Sequence, residues 1–260
     1  MEERKKEEIE HYDKKAEEWL EKDKSLQVTT DFESFDPNLL SSFRFCYQYL
    51  KDKCHNKKLL DYGCGNGIHS IFPAKCGVEV IGIDLSESFL KIAKERAERE
   101  GVEDKIRFLK MDCEKMEFPD NSFDIIFDGG TFSSLDFKMA IPELARVLKP
   151  EGFLLGIETF GHNPFTNLKR KLNRVMGKRT EWAASHIFQM KDLELVKNYF
   201  NKIEVEYFHL ISWAAFPFLN LPGGKILLNF LEIIDRGLLK IHFLRKYAFK
   251  VVFIFSQPKK

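Results

Sequence analysis

The chain has 260 residues, 44% of them hydrophobic and 31% charged, which is enough to bury a core and excludes a disordered chain. That length holds one α/β domain with additions or two small domains. The formal net charge of +1 excludes a uniformly basic nucleic-acid binder, yet residues 1–150 carry 24 Lys+Arg against 31 Asp+Glu, a net −7, and residues 151–260 carry 17 against 9, a net +8; the second part therefore suits an anionic partner, substrate or membrane surface.

Residues 2–24 read as an exposed amphipathic helix, with Ile9, Tyr12, Ala16, Trp19 and Leu20 recurring on one side. A second helix is expected to start at Asp36-Pro37, with Asp as cap and Pro in the first turn, and to run through Leu39–Leu50. The pattern then alternates. Lys58–Tyr62 and Val78–Ile83 are strand-like, and a helix runs from Ser86 as N-cap to Glu100, with Gly101 just past its end. Ile106–Lys110 and Phe123–Phe127 are further strands, separated by Pro119-Asp120-Asn121-Ser122. Pro142 is expected to open a short helix, Glu143–Leu148, before a buried strand at Phe153–Phe160. Strands alternating with helices imply a parallel sheet with helices on both faces. After Phe160 the alternation breaks: residues 161–190 show no clear strand, a helix (Lys191–Phe200) and a strand (Lys202–His209) follow, residues 211–246 are apolar and helical in pattern, and Ala248–Ser256 alternates like a last strand.

Four parts follow from this reading. They are an N-terminal helical cap at 1–54, a nucleoside-binding core at 55–160, a basic insertion at 161–190, and the end of the sheet at 191–260 with the apolar insertion at 211–246. Five cysteines, Cys46, Cys54, Cys64, Cys76 and Cys113, form no CxxC pair and no zinc-ligand spacing. They fit a reducing compartment and no metal site. The first 19 residues are too charged for a signal peptide, and no run of about 18 uncharged apolar residues occurs. The expected location is the cytoplasm, at a membrane surface if the apolar insertion meets lipid.

The sharpest signal is Leu59–Ser70, LLDYGCGNGIHS: a strand, then Asp61-x-Gly63-x-Gly65-x-Gly67, then a helix. Glycines at alternate positions let a ligand approach main-chain N–H groups without Cβ clashes. The next strand ends in Asp84, followed by Leu85, 23 positions after Asp61, where a carboxylate can accept both hydroxyl hydrogens of a ribose. The third strand runs into Met111-Asp112-Cys113, where another carboxylate can accept from an exocyclic amine of adenine. The dinucleotide fingerprint GxGxxG is the nearest competitor, but its third glycine is Ile68 here, and a pyrophosphate would not welcome the charge of Asp61. The spacing favours a cationic nucleoside ligand over NAD. Cys64 reads as packed against the loop, and His69 as structural.

Asp61–Gly67, Asp84, Asp112, SFDIIF at Ser122–Phe127 and LARVLKPEGFLL at Leu144–Leu155 resemble, in order and spacing, the successive motifs of class I S-adenosylmethionine-dependent methyltransferases. The resemblance covers roughly residues 55–160. It implies an α/β fold with a doubly wound seven-stranded sheet whose last strand is antiparallel, with S-adenosylmethionine across the strand ends. By that resemblance Asp61 faces the methionine amino group, Gly63, Cys64, Gly65 and Gly67 cradle the cofactor, and Asp84 with Leu85 holds the ribose. Met111, Asp112 and Cys113 frame the adenine, and Asp128 lines the floor near the methionine end. The chain departs from relatives that methylate nucleic acids and many proteins, having Asp128-Gly129-Gly130-Thr131-Phe132 where they carry Asn/Asp-Pro-Pro-Tyr/Phe. No specific DNA or RNA partner is expected.

Methyl transfer from a sulfonium is an in-line displacement that asks the protein mainly for positioning and for a proton acceptor. Glu158, His162 and His186 are the polar candidates for that role; each can equally be a structural residue. The run Leu168–Thr180 holds six Lys/Arg and no acid. It is either a solvated helix face or a site where Arg170, Arg174 and Arg179, with Tyr12 from the first helix, bind an anionic acceptor. Both insertions follow strands that end on the cofactor rim, so the expectation is that they form a lid over the acceptor. The segment 211–246 can also be a dimer face or a membrane contact. The expected acceptor is small or lipid-like, with an apolar body and an anionic end. A soluble polar metabolite or sugar, and a cofactor-binding domain without turnover, stay open as alternatives.

Overall fold

The computed structural model describes residues 2–22, 40–176 and 179–260. The expected Asp36-Pro37 helix start, and the side chains of Trp19, Leu20 and Arg174, lie outside the described residues and side chains.

Seven strands form one sheet in the order β3-β2-β1-β4-β5-β7-β6. These are β1 (Lys58–Tyr62), β2 (Glu79–Asp84), β3 (Ile106–Lys110), β4 (Phe123–Asp128), β5 (Leu148–Thr159), β6 (Phe200–Phe208) and β7 (Lys250–Pro258). Neighbours from β3 through β5 are parallel, whereas β7 runs antiparallel to both β5 and β6. The last strand is therefore the antiparallel one, as expected.

The central strands are apolar on both faces because helices cover both. Leu60, Tyr62, Phe123 and Phe253 feed one core, and Leu59, Val80, Phe127 and Leu155 feed the other. The helices are α1 (Glu3–Lys22), α2 (Ser41–Lys53), α3 (Ile68–Lys75), α4 (Glu87–Arg99), α5 (Phe137–Val147), α6 (Pro164–Val175), α7 (Glu181–Ser185), α8 (Met190–Val196) and α9 (Gly224–Leu238). Ser86 caps α4 by accepting Phe89 N–H at 3.1 Å, and Gly101 just beyond it takes φ +65°.

Two boundaries differ from expectation. Pro142 lies inside α5, which Asp136 caps through Lys138 N–H at 3.0 Å; the acidic cap outranks the proline as the start signal. β5 begins at Leu148, and its pairing slips from Phe123↔Leu148 to Ile125↔Phe153. The Lys149–Gly152 stretch that reads as a stop is thus a bulge, and a Cβ at Gly152 would sit 2.7 Å from Asp124 O. Further along, the helix expected over Lys191–Phe200 is α8, and β6 has already begun at Phe200.

Candidate active site

A cavity of about 430 Å³ opens at the C-terminal ends of β1, β2 and β4. Parallel strands end here with their carbonyl rims exposed, so the loops that follow them supply the walls. The β1–α3 loop contributes Gly63, Cys64, Gly65 and Asn66, and the first turn of α3 contributes Ile68 and His69. Gly63 has φ +65°, and a Cβ there would meet the Thr131 side chain at 2.3 Å, so only glycine fits against the loop after β4.

Asp84, at the end of β2, is the best-organised group on the wall. Its Oδ2 accepts Gly65 N–H and its Oδ1 accepts Ser86 N–H, both at 2.9 Å. Burial raises its pKa, and these backbone donors oppose the rise. Each oxygen keeps a lone pair for a further donor. Leu85, Asp112 and Cys113 line the same wall. Asp112 accepts Glu114 N–H at 2.9 Å and the Lys5 ammonium at 2.7 Å.

The remaining expected residues, Tyr12 apart, lie elsewhere. Asp61 is buried behind the loop, accepting Ser70 Oγ–H at 2.5 Å, and burial lifts its pKa to about 7. Neither Asp61 nor Gly67, Met111 or Asp128 belongs to the cavity wall. Asp128 is fully buried, accepts Thr131 N–H at 3.0 Å, and is pushed toward its neutral form by burial and by Glu158. Glu158 is itself buried and accepts Phe132 N–H at 2.7 Å and Thr159 N–H at 3.2 Å. It shapes the turn after β4 and does not face the cavity.

His162 Nε2 accepts Met190 N–H at 3.3 Å, and His186 stacks on Trp182 at 3.6 Å; both stand off the wall. Arg170 is buried, donating to Asn167 Oδ1 at 2.6 Å and to Phe160 O at 3.3 Å, and burial lowers its pKa to about 10. Arg179 donates to Ala183 O at 3.4 Å. Tyr12 does line the cavity, with its hydroxyl 3.0 Å from Ser134 Oγ.

The cover is α1, and among the described residues neither insertion contributes to the wall. Arg4, Lys5, Glu8, Ile9, Tyr12 and Lys15 face the cavity along one side of that helix. Arg4 pairs with Glu114 at 2.7 Å, Lys5 pairs with Asp112 and Glu114 at 2.7 and 2.8 Å, and Asp13 Oδ1 accepts Ser86 Oγ–H at 2.5 Å. The basic insertion acts one layer out: Thr180 hydrogen-bonds Glu8, and the Arg4 guanidinium stacks over Trp182 at 4.6 Å. The cover thus differs from the expected lid, and no local sequence signal marked it.

His69 is the other residue that sequence reasoning set aside. Its Nδ1 lies 2.6 Å from Tyr47 Oη, and its ring rests on Gly129, where a Cβ would clash at 2.7 Å. Burial, with the Lys250 and Arg96 charges, lowers its pKa to about 4, so it is a neutral imidazole on the cavity wall. The Cys64 and Cys113 thiols are pushed well above their usual range by burial, which makes them packing groups and poor nucleophiles.

Residues 60–156 match the family described as "Methyltransferase domain". Over those residues the chain is similar to a methyltransferase domain. An uncharacterized protein of Haemophilus influenzae is 33% identical over 143 residues, 52% of this chain and 57% of that one. A demethylmenaquinone methyltransferase of Thermus thermophilus is 36% identical over 105 residues, 39% of this chain and 47% of the relative. The chain thus spans about half the length of these relatives. Among solved structures, a geranyl diphosphate C-methyltransferase of Streptomyces coelicolor superposes with TM-score 0.59 at 17% identity, covering 83% of this chain and 79% of that one. That likeness concerns the fold, and it extends well beyond the methyltransferase domain's own residues.

Proposed function

We propose that the protein transfers a methyl group from S-adenosylmethionine to a small or lipid-like acceptor with an apolar body and an anionic group. The observation that carries the reading is Asp84, held by Gly65 and Ser86 N–H with lone pairs left for a diol, beside a glycine loop of positive φ. The cavity volume lies within the range of about 300–1,000 Å³ usual for small-molecule sites. Asp84 would hold the ribose, Gly63–Gly65 would approach the methionine portion, and Asp112 with Cys113 would border the adenine. When bound, the cofactor supplies an electrophilic methyl group on a sulfonium.

The chain's own part is orientation and exclusion of water. α1 covers the cavity and is fixed at Asp112, Glu114 and Ser86. His69, neutral and held by Tyr47, can accept a hydrogen bond from an acceptor's hydroxyl; its low basicity suits it to orienting that group. Support for an anionic acceptor moves from Arg170 to Lys15. Lys15 lines the cavity, and burial together with the nearby Arg179 charge lowers its pKa. The demethylmenaquinone and geranyl diphosphate enzymes support an apolar acceptor body. The reading extends to a cytoplasmic protein that meets its acceptor at a lipid surface.

Calorimetric titration with S-adenosylmethionine tests the cofactor, and Asp84→Ala is expected to weaken binding by roughly 10- to 100-fold, the value of charged hydrogen bonds. Preference for NAD would overturn the assignment. Release of S-adenosylhomocysteine with lipid extracts, reduced in Lys15→Met, is the expected turnover result. Turnover confined to polar metabolites would remove the lipid-like acceptor, and binding without turnover on either pool would leave a cofactor-binding domain alone.

A further inference from the structure

Two helices of this protein are turned inside out. On α9 the buried positions include Glu232 and Asp235, while Ile226, Phe230 and Ile233 are 75%, 59% and 58% exposed. The carboxylates explain the inversion. Glu232 accepts Ser41 N–H at 3.2 Å and pairs with Arg44 at 3.0 Å, and Asp235 accepts the N–H groups of Ile211 and Ser212 at 2.9 and 3.1 Å. On α6, among the described side chains, Arg170 is turned inward, and Leu168, Leu172 and Val175 point outward. In both helices ionic groups anchor the segment, beside the buried Leu228 on α9, and several large apolar groups face away from the protein. Helices normally do the reverse, so the pattern calls for an apolar medium on the outside.

We propose that the outward faces of α6 and α9 dock the protein on an anionic lipid bilayer. Charge decides the occupant. Lys171, Lys225, Arg236, Lys240 and Lys246 are exposed around these faces. The two acids of residues 211–246, Glu232 and Asp235, are both buried, and residues 161–180 contain no acid. A second copy of the chain would bring cations against cations, whereas a surface of phosphatidylglycerol or phosphatidylserine offers the complementary charge. Among the described residues no helix is long and apolar enough to cross a membrane, which fits a helix pair lying in the interface.

Position supports the same conclusion. β5 and β6 run parallel, so α6 and the segment containing α9 leave the sheet at the edge that carries the cavity. Asn163, at the start of α6, donates to Tyr247 O at 2.8 Å, which joins the ends of the two segments. The inference deepens the lipid-like acceptor reading, and its test requires no turnover.

The experiment is co-sedimentation of the full chain with vesicles of phosphatidylcholine alone and of phosphatidylcholine containing phosphatidylglycerol. Binding to the anionic vesicles, weakened by salt, is expected. Ile226→Ser with Phe230→Ser should lower partitioning by more than about tenfold, because two large apolar groups leave the interface. Lys225→Glu with Lys240→Glu should lower it by at least about tenfold, at roughly fivefold for each cation lost. Thermal melts matching the parent confirm that the variants fold. Failure of the parent to sediment overturns the proposal, as does equal binding to neutral vesicles that ignores charge reversal. A concentration-dependent dimer broken by Phe230→Ser, without vesicle binding, would assign the face to a second copy. Calorimetry with S-adenosylmethionine on the same preparations separates failure of this surface from failure of the methyltransferase reading.

Discussion

The sheet and the two inserted segments obey opposite burial rules. Between β1 and β5, apolar side chains turn inward, and the acids that matter stand at strand ends, where the loops can reach them with N–H groups. In α6 and α9 Arg170, Glu232 and Asp235 turn inward, with Leu228 beside the acids, while Leu168, Leu172, Ile226, Phe230 and Ile233 turn out. Burial in the first region is set by the protein's own core. In the second it is set by whatever lies beyond the protein, with ionic groups serving as the attachment. An exposed apolar residue is ordinary taken singly; a whole helix face of them, matched by a buried ionic face, is not.

The largest effect that tests this contrast compares two phenylalanines. Phe253 on β7 is fully buried and lies 4.4 Å from Phe255, 5.1 Å from Phe188 and 5.6 Å from Phe132 between ring centroids. Phe253→Ala should cost about 3–5 kcal/mol in denaturant unfolding, the usual price of a large core truncation. Phe230→Ala on α9 should change stability by no more than about 0.5 kcal/mol in the absence of lipid. Comparable losses at both sites would mean that α9 has an internal partner.

The same contrast explains what the sequence could reveal. Lys58–Tyr62, Ile106–Lys110 and the Ser86 cap were legible because both signals are local: a buried strand between turn residues, and a hydroxyl three residues before the N–H it accepts. The seven-stranded sheet with its antiparallel last strand was implied by the family resemblance of the motif series. Asp84 and Asp112 were legible as wall residues because one ends a parallel strand and the other follows one by two residues. Asp61 shares that spacing, yet its side chain turns to Ser70, nine residues later, and no pattern distinguishes a carboxylate facing a cavity from one facing a hydroxyl behind it. Arg170 misled for the same reason, since a cationic run reads as a solvated or ligand-binding face while its partner, Phe160 O, is a backbone atom. The α1 cover was invisible because it depends on contacts more than a hundred residues apart, such as Lys5 with Asp112.

A smaller effect probes the ionic attachment of α9. Glu232→Ala leaves the Ser41 N–H without its partner and removes the half-exposed Arg44 pair. The expected loss is about 1 kcal/mol, the low end of the range for an orphaned donor, because Ser41 is only partly buried. Hydrogen exchange should show it as faster opening of 224–238 and 41–44, with β1–β4 unchanged. A uniform loss of protection across the sheet would show instead that the insertion and the core open as one unit.

On the core side, Asp61 gives a pH signature. Its folded pKa of about 7 lies above the ordinary carboxylate value because burial penalises the anion. The folded state therefore holds a proton that the unfolded chain has released, and stability falls as pH rises across about 4 to 7. Asp61→Asn keeps an acceptor for Ser70 and removes the titration. The stability of the variant relative to the parent should grow through that window and level off above it. A constant difference from pH 4 to 8 would mean that Asp61 is already ionised in the folded protein. His69 contributes with the opposite sign, because its pKa is lowered to about 4 and folding favours its neutral form as pH rises toward 6.5. Only the difference between parent and variant isolates Asp61.

The smallest expected effect concerns the clasp between these two kinds of region. α1 is polar on its outside, apolar where Tyr12 and Ala16 meet Phe89 and Ile92, and ionic at the cavity. Its Lys5 holds Asp112 and Glu114, where burial opposes the charge and those two partners outweigh it, raising the pKa. The Asp112 side chain is 28% exposed, so the pair is partly screened and is worth no more than about 1 kcal/mol. Arg4 also reaches Glu114, and Tyr12 and Asp13 pin the same helix at Ser134 and Ser86, so no single contact closes the cavity. Lys5→Ala should accordingly weaken S-adenosylmethionine binding only a few-fold at low salt, with a smaller difference in concentrated salt, where screening has already weakened the pair. Calorimetry at two ionic strengths measures both. If the parent shows no salt dependence and Lys5→Ala still loses affinity, Lys5 acts on the bound molecule directly, and the charge on α1 is part of the binding site as well as its fastening.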